Sequence, residues 1–276
     1  MRSMKSKINK TSMVTLILIS VIMLFPFFWL VRSAFMSDRE IMSMPIKWIP
    51  ERMRYENYGL IFERAPFLRY FLNSILLVAV NVIAQVVSSS FIAYGFARFR
   101  FKGKNFLFGV MLSTMMIPYT VVMIPQFMMW QMIGMYNTYI PLMIPAFFGS
   151  AFNMFLVNQF YRGIPKAYDE AALVDGANYL KIYFKVIIPM SKPVLCSVGV
   201  FTFMSTWNDF LGPLLYLEDE KLKTVSLGLQ TFIGQYTGSW NLLMAASSLA
   251  IIPMVIIFFF AQRYFIEGIT FSGLKG

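Results

Sequence analysis

The chain has 276 residues, 58% hydrophobic and 13% charged, with a net charge of +11 and a mean hydropathy of +0.63. Soluble domains run about 45–50% apolar and about 25% charged, so that class is excluded. There is no histidine, and Cys196 is the single cysteine, which removes imidazole catalysis, intrachain disulfides and multi-cysteine zinc sites.

Arg2, Lys5, Lys7 and Lys10 precede an uncharged run at 11–31. A secretory h-region is about 7–15 residues long and ends at small residues. This run is longer and leaves through Phe25-Pro26-Phe27-Phe28-Trp29, so it reads as a retained first helix. Uncharged runs follow at 70–97, 105–125 and 139–161, then at 193–208, extending to 217 past Asp209, and at 242–262. A membrane span takes about 20 apolar residues. The expectation is an all-α membrane protein with six transmembrane helices, near 11–31, 70–97, 105–125, 139–161, 193–217 and 242–266. Pro118, Pro125, Pro141, Pro145, Pro213 and Pro253 interrupt these runs. Carbonyls freed by proline need partners in neighbouring helices or a wet cavity, which calls for a bundle.

Charge sets the orientation. The N-terminus 1–10, the loop 98–104, the loop 162–192 and the C-terminal end together carry fifteen basic residues, against nine in 32–69, 126–138 and 218–241. The shortest loops discriminate best: Arg98, Arg100, Lys102 and Lys104 lie in one, and 126–138 holds no basic residue. Both termini are therefore expected in the cytoplasm, and the net charge reflects orientation rather than nucleic-acid binding. The outer connection 32–69 is either a cap over the bundle or a surface for a partner.

The loop 162–192 reads as two short helices at an angle. Pro165 suits a first helical turn, and Asp169 and Glu170 lie near the positive end of that helix. Ala171, Ala172 and Val174 give a small apolar side, and Gly176 permits a turn that a side chain would resist. Tyr179, Ile182, Tyr183 and Val186 share a face of the second segment, which Pro189 ends. Composition alone leaves two readings: a knuckle that another protein approaches closely, or a connector lying on lipid headgroups.

Glu170-Ala171-Ala172, Gly176 and Ile188-Pro189 resemble the "EAA" loop of permease subunits in binding-protein-dependent ABC importers. Phe71-Leu72-Asn73-Ser74, the stretch from Ala93 to Phe99, Asn137-Thr138-Tyr139, Phe203 to Leu214, and Gln262-Arg263-Tyr264-Phe265 are similar to the carbohydrate branch, its maltose-permease MalG-like family. Val157-Asn158 departs from that pattern, where a Leu-Arg pair is expected. The resemblance implies the ABC type I importer permease fold. It also implies a cell-membrane (plasma or inner) location, a second permease subunit, two ATPase subunits and an extracytoplasmic sugar-binding protein. No G-x-x-x-x-G-K-[S/T] phosphate cradle occurs, so the chain is expected to be no enzyme and to hold no cofactor or metal, with ATP and magnesium on the partners.

Under that resemblance Glu170, Ala171, Ala172, Asp175 and Gly176 couple to the ATPase, and Gly268, Gly273 and Lys275 in the tail 267–276 touch it. Trp207, Asn208 and Asp209 are candidates for the substrate pathway, offering a ring, an amide and the single ionisable group inside a span. Interfacial anchoring explains them equally well. Gln235, Tyr236 and Trp240 combine rings with hydrogen-bonding groups and are candidates for contact with the binding protein. Two other functions stay open: a permease for a non-sugar polar solute, and a secondary carrier complete in one chain.

Overall fold

The structure, a computed structural model, describes residues 10–234 and 239–272, with side chains described through 262. In chain order the helices are α1 (Lys10–Ala34), α2 (Asp38–Ile41), α3 (Glu56–Arg64), α4 (Phe67–Arg98), α5 (Lys104–Ser113), α6 (Tyr119–Met132), α7 (Ile140–Met143) and α8 (Ala151–Gly163). They continue with α9 (Ala167–Val174), α10 (Tyr179–Ile182), α11 (Ile188–Met190), α12 (Lys192–Trp207), α13 (Leu211–Tyr216), α14 (Val225–Leu229), α15 (Thr231–Gly234) and α16 (Trp240–Ser272). No strand occurs among the described residues.

Among the described residues, four stretches are long and apolar enough to cross a membrane: Lys10–Ala34, Phe67–Arg98, Ile140–Gly163 and Trp240–Gln262. Two bent pairs raise the number to six if each pair is one span. The run expected as a span at 105–125, interrupted by Pro118 and Pro125, is one of them. It breaks at Ile117-Pro118, and Lys104–Met116 meets Tyr119–Met132 at 98°. Proline has no N–H for the preceding turn and drives the residue before it out of the helical region; Ile117 is extended, at ψ 114°. The second pair, Tyr179–Met190 with Lys192–Trp207, bends by 78°. Trp207 ends α12, and 211–216 forms the separate α13, so the span expected at 193–217 is also divided.

The chain separates into two compact units. The first comprises Met1–Pro66 and Leu229–Ile252. In it the connection that follows α1 has hydrogen bonds of its own. Asn57, 1% exposed, donates its amide to the carbonyls of Ala34 and Met36 at 2.8 and 2.9 Å and accepts from Asn241 at 3.1 Å. Ser37 and Glu40 form a reciprocal capping box at the start of α2, which satisfies donors that a helix end leaves free. Glu40 also accepts the Glu51 N–H at 2.9 Å. The Ser37 hydroxyl, these backbone N–H groups and the nearby Arg54 hold the Glu40 carboxyl down at about 2.

The second unit, Phe67–Gly228 with Pro253–Gly276, is organised by α4, which packs on α12 and α8. Tyr70, Ser74, Leu77, Asn81 and Ala84 recur at helical spacing and are buried, the mark of a helix with one inward face. Further along, Ala93 and Tyr94 join Val157, Tyr161, Ile164, Ile182, Tyr183, Ile187, Val194 and Val198 in one core cluster. At its centre the Ser90 hydroxyl bonds the hydroxyls of Tyr161 and Tyr183 at 2.6 and 2.8 Å. Asn158, at the departure from the family pattern, is fully buried and donates to the Ala93 carbonyl at 3.2 Å.

Candidate functional site: a knuckle held on the core

The site is built on α9. Asp169 and Glu170 occupy its first turn, where negative charge offsets the helix dipole. Its far end is closed by a Schellman motif. The Gly176 N–H donates to the Leu173 carbonyl at 3.0 Å and the Ala177 N–H to the Ala172 carbonyl at 2.9 Å. The motif needs a left-handed residue, and Gly176 has φ +77°, a region costly to residues bearing a Cβ. Asn178 then caps α10, accepting the Lys181 N–H at 2.8 Å. The chain thus leaves one helix and enters the next within four residues.

What holds this knuckle is Arg98, the last residue of α4. Both terminal guanidinium nitrogens donate to the Ile164 carbonyl at 3.1 Å, and Nε lies 2.9 Å from the Asp169 carboxylate in an ion pair. The two side chains are 5% and 15% exposed. Burial pushes the Asp169 carboxyl upward, and the Arg98 charge pulls the other way. Tyr94 adds a second tie, donating to the Tyr179 carbonyl at 3.1 Å.

The predicted residues sort by direction. Glu170, Ala171, Asp175 and Gly176 are exposed, while Ala172 is half-buried and packs on the core cluster. Val174 stands 89% exposed. The knuckle's exposed surface combines Ala171 and Gly176 with Leu173 and Val174 and has a carboxylate at each end, Glu170 and Asp175. Sequence reasoning missed the tie between Arg98 and Asp169; the one available signal was a basic residue closing an apolar run opposite an acid in a short helix.

The other candidates lie apart. Asp209 lines a cavity of about 650 Å³ inside the second unit. Trp207 does not line it: the ring is buried, stacks on Phe203 at 5.8 Å and meets Phe71 edge-on at 5.4 Å. Asn208 is exposed and donates to the Met204 carbonyl of its own helix. The cavity also has amide walls, from Asn81, Gln85, Gln126 and Asn153, which sequence reasoning passed over. Polar side chains inside apolar runs were the signal. Trp240 opens α16; Gln235 and Tyr236 lie outside the described residues. Gly268 falls within α16, and Gly273 and Lys275 lie outside the described residues.

Comparison with known proteins agrees with this architecture. Residues 85–270 match the family model for the binding-protein-dependent transport system inner membrane component. The arabinooligosaccharides transport system permease protein AraQ of Halalkalibacterium halodurans is 34% identical, over 94% of this chain and 93% of that protein. The melibiose/raffinose/stachyose import permease protein MelC of Bacillus subtilis is 31% identical, over 91% of each. A crystal structure of a bacterial ABC transporter involved in the import of the acidic polysaccharide alginate has the same fold, with a TM-score of 0.82 over 92% of this chain and 95% of that one, at 23% identity. With that match over most of its length, the chain belongs to the family of binding-protein-dependent transport system inner membrane components.

Proposed function

We propose that this chain is the transmembrane permease subunit of an ATP-driven ABC importer, moving a sugar or oligosaccharide delivered by an extracytoplasmic binding protein. Its six spans cross the cell membrane with both termini in the cytoplasm. It works with a second permease subunit and two ATPase subunits, which hold ATP and magnesium. The observation that carries the reading is the knuckle: Glu170, Ala171, Asp175 and Gly176 face outward on a helix tied to the core through Arg98. Force from a closing ATPase delivered there enters α4 directly. The saccharide names of AraQ and MelC support the cargo class, and Gly268, Gly273 and Lys275 are assigned to a second ATPase contact.

The test is uptake into proteoliposomes holding this chain with its partner permease and ATPases, with the binding protein and labelled oligosaccharide outside. Uptake should require both enclosed ATP and the binding protein. Uptake by this chain alone, driven by a proton or sodium gradient, would replace the reading with a secondary carrier.

A further inference from the structure

The cavity beside Asp209 lies wholly within the second unit, and its volume falls within the range of about 300–1,000 Å³ usual for small-molecule sites. The polar groups on its wall are amides, hydroxyls and one carboxyl. Asn81 and Gln85 come from α4, Asn153 from α8 and Thr202 from α12, with Asp209 just beyond the end of α12. Neither lysine nor arginine is among the residues lining it.

Several of these groups are held in place. Asn153 donates its amide to Gln85 Oε1 at 3.3 Å and to Thr202 Oγ1 at 3.4 Å, joining three helices. Asn81 is 7% exposed. Its Nδ2 donates to the Leu142 carbonyl at 3.1 Å, which fixes the amide, and its Oδ1 is buried with no partner. A carboxylate or phosphate in the cavity would face the Asp209 carboxyl with no cation to pair with, and an unpaired buried anion is strongly disfavoured. Tyr119 adds a ring to the wall.

We propose that this cavity is a saccharide subsite carried by this subunit itself, built for uncharged sugars and closed to acidic ones. The proposal rests on the importer reading above. The fold alone does not dictate this choice, since a transporter of the same fold imports the acidic polysaccharide alginate. The lining does.

The test places a reporter thiol in the wall. Cys196 lines a separate apolar groove and is removed by Cys196→Ala; Gln126→Cys then puts the thiol in the cavity. The complete complex in proteoliposomes is reacted with N-ethylmaleimide, with raffinose, arabinotriose or trigalacturonate present at millimolar concentration. The neutral sugars should slow labelling at least fivefold and trigalacturonate less than twofold. Asn153→Ala, which releases Gln85 and Thr202, should at least halve the protection by neutral sugars. Asp209→Asn should raise protection by trigalacturonate at least threefold. Equal protection by neutral and acidic sugars, or none by either neutral sugar, overturns the subsite. ATP-driven uptake is measured on the same vesicles. Uptake without protection overturns the subsite alone, whereas absent uptake overturns the importer reading and the subsite with it.

Discussion

Arg98 and Asp169 form an ion pair at 2.9 Å that joins the end of α4 to the first turn of α9, both largely sealed from water. Removing one member of a buried pair leaves the other uncompensated, at about 3–5 kcal/mol when burial is complete. Asp169 keeps some exposure, so Arg98→Ala should cost about 3 kcal/mol and Asp169→Asn about 1–2 kcal/mol. Arg98→Lys should not restore stability, because one ammonium cannot reproduce the guanidinium fork that serves both the Ile164 carbonyl and Asp169. Thermal unfolding of the detergent-solubilised chain measures the order; three unchanged midpoints would remove the pair from the account.

Gly176 offers a cleaner separation of backbone from bulk. Nothing lies within 4 Å of a Cβ placed there, and φ is +77°. Within the chain, Gly176→Ala and Gly176→Leu should therefore cost the same, about 1–2 kcal/mol for the left-handed conformation, and Gly176→Asn less. In the assembled importer the two should diverge, with Leu abolishing coupled uptake while ATP hydrolysis continues. Equal uptake by the Ala and Leu variants would show that nothing seats closely on the knuckle.

Glu40 gives the segment around α2 a pH dependence with a definite sign. Its carboxyl sits at about 2 against an ordinary 4.5, chiefly through the Ser37 hydroxyl. Between these values the unfolded segment binds more protons than the folded one, so stability rises with pH there. The contribution is complete above pH 4.5 and is lost as pH falls toward about 2. Glu40→Gln should remove about 1–3 kcal/mol at neutral pH and flatten the acid limb. Protease sensitivity at 43–55 across pH 2–6 reads both effects; parallel acid limbs in the two proteins would contradict the assignment.

Two glycines of the second unit should respond oppositely to alanine. A Cβ at Gly228 would run into the ring of Tyr70, which is fully buried and bonded to Glu220. One at Gly199 would make ordinary contact with Val82 and Val86 at 3.7 and 3.9 Å. Gly228→Ala should cost about 1–3 kcal/mol through overpacking, and Gly199→Ala should be neutral or slightly stabilising through helix propensity. Unfolding midpoints of the two variants test the contrast.

The legible part of this fold was what composition along the chain encodes. Uncharged runs marked α1, α4 and α16, and Pro165, Asp169 and Gly176 marked a helix and the turn after it. The break at Ile117-Pro118 was visible as a proline, but hydropathy counts residues without assigning direction, so 105–125 read as one span and the size of its bend was not legible. Arg98 read as orienting charge because its partner lies in another loop, and nothing local names that partner. Asn81 and Asn153 were hidden for the same reason: their meaning comes from facing one cavity, and only packing brings them there.

Ile182 and Ile187 are both fully buried, although they are five residues apart. In an α-helix that spacing turns two side chains about 140° apart, and they could not share a core. The π-helical turn at Tyr183–Ile187 narrows that angle, since its hydrogen bonds span five residues and each residue turns less than in an α-helix. The segment is in effect a four-residue step with a fifth residue let into it. The surplus is absorbed on the outer side, where Phe184 and Lys185 are exposed. Deleting Lys185 would return the step to α-helical length with both isoleucines still facing inward. At this place the chain tolerates a change of one in length, while the identities of Ile182, Tyr183 and Ile187 are held by the core they share.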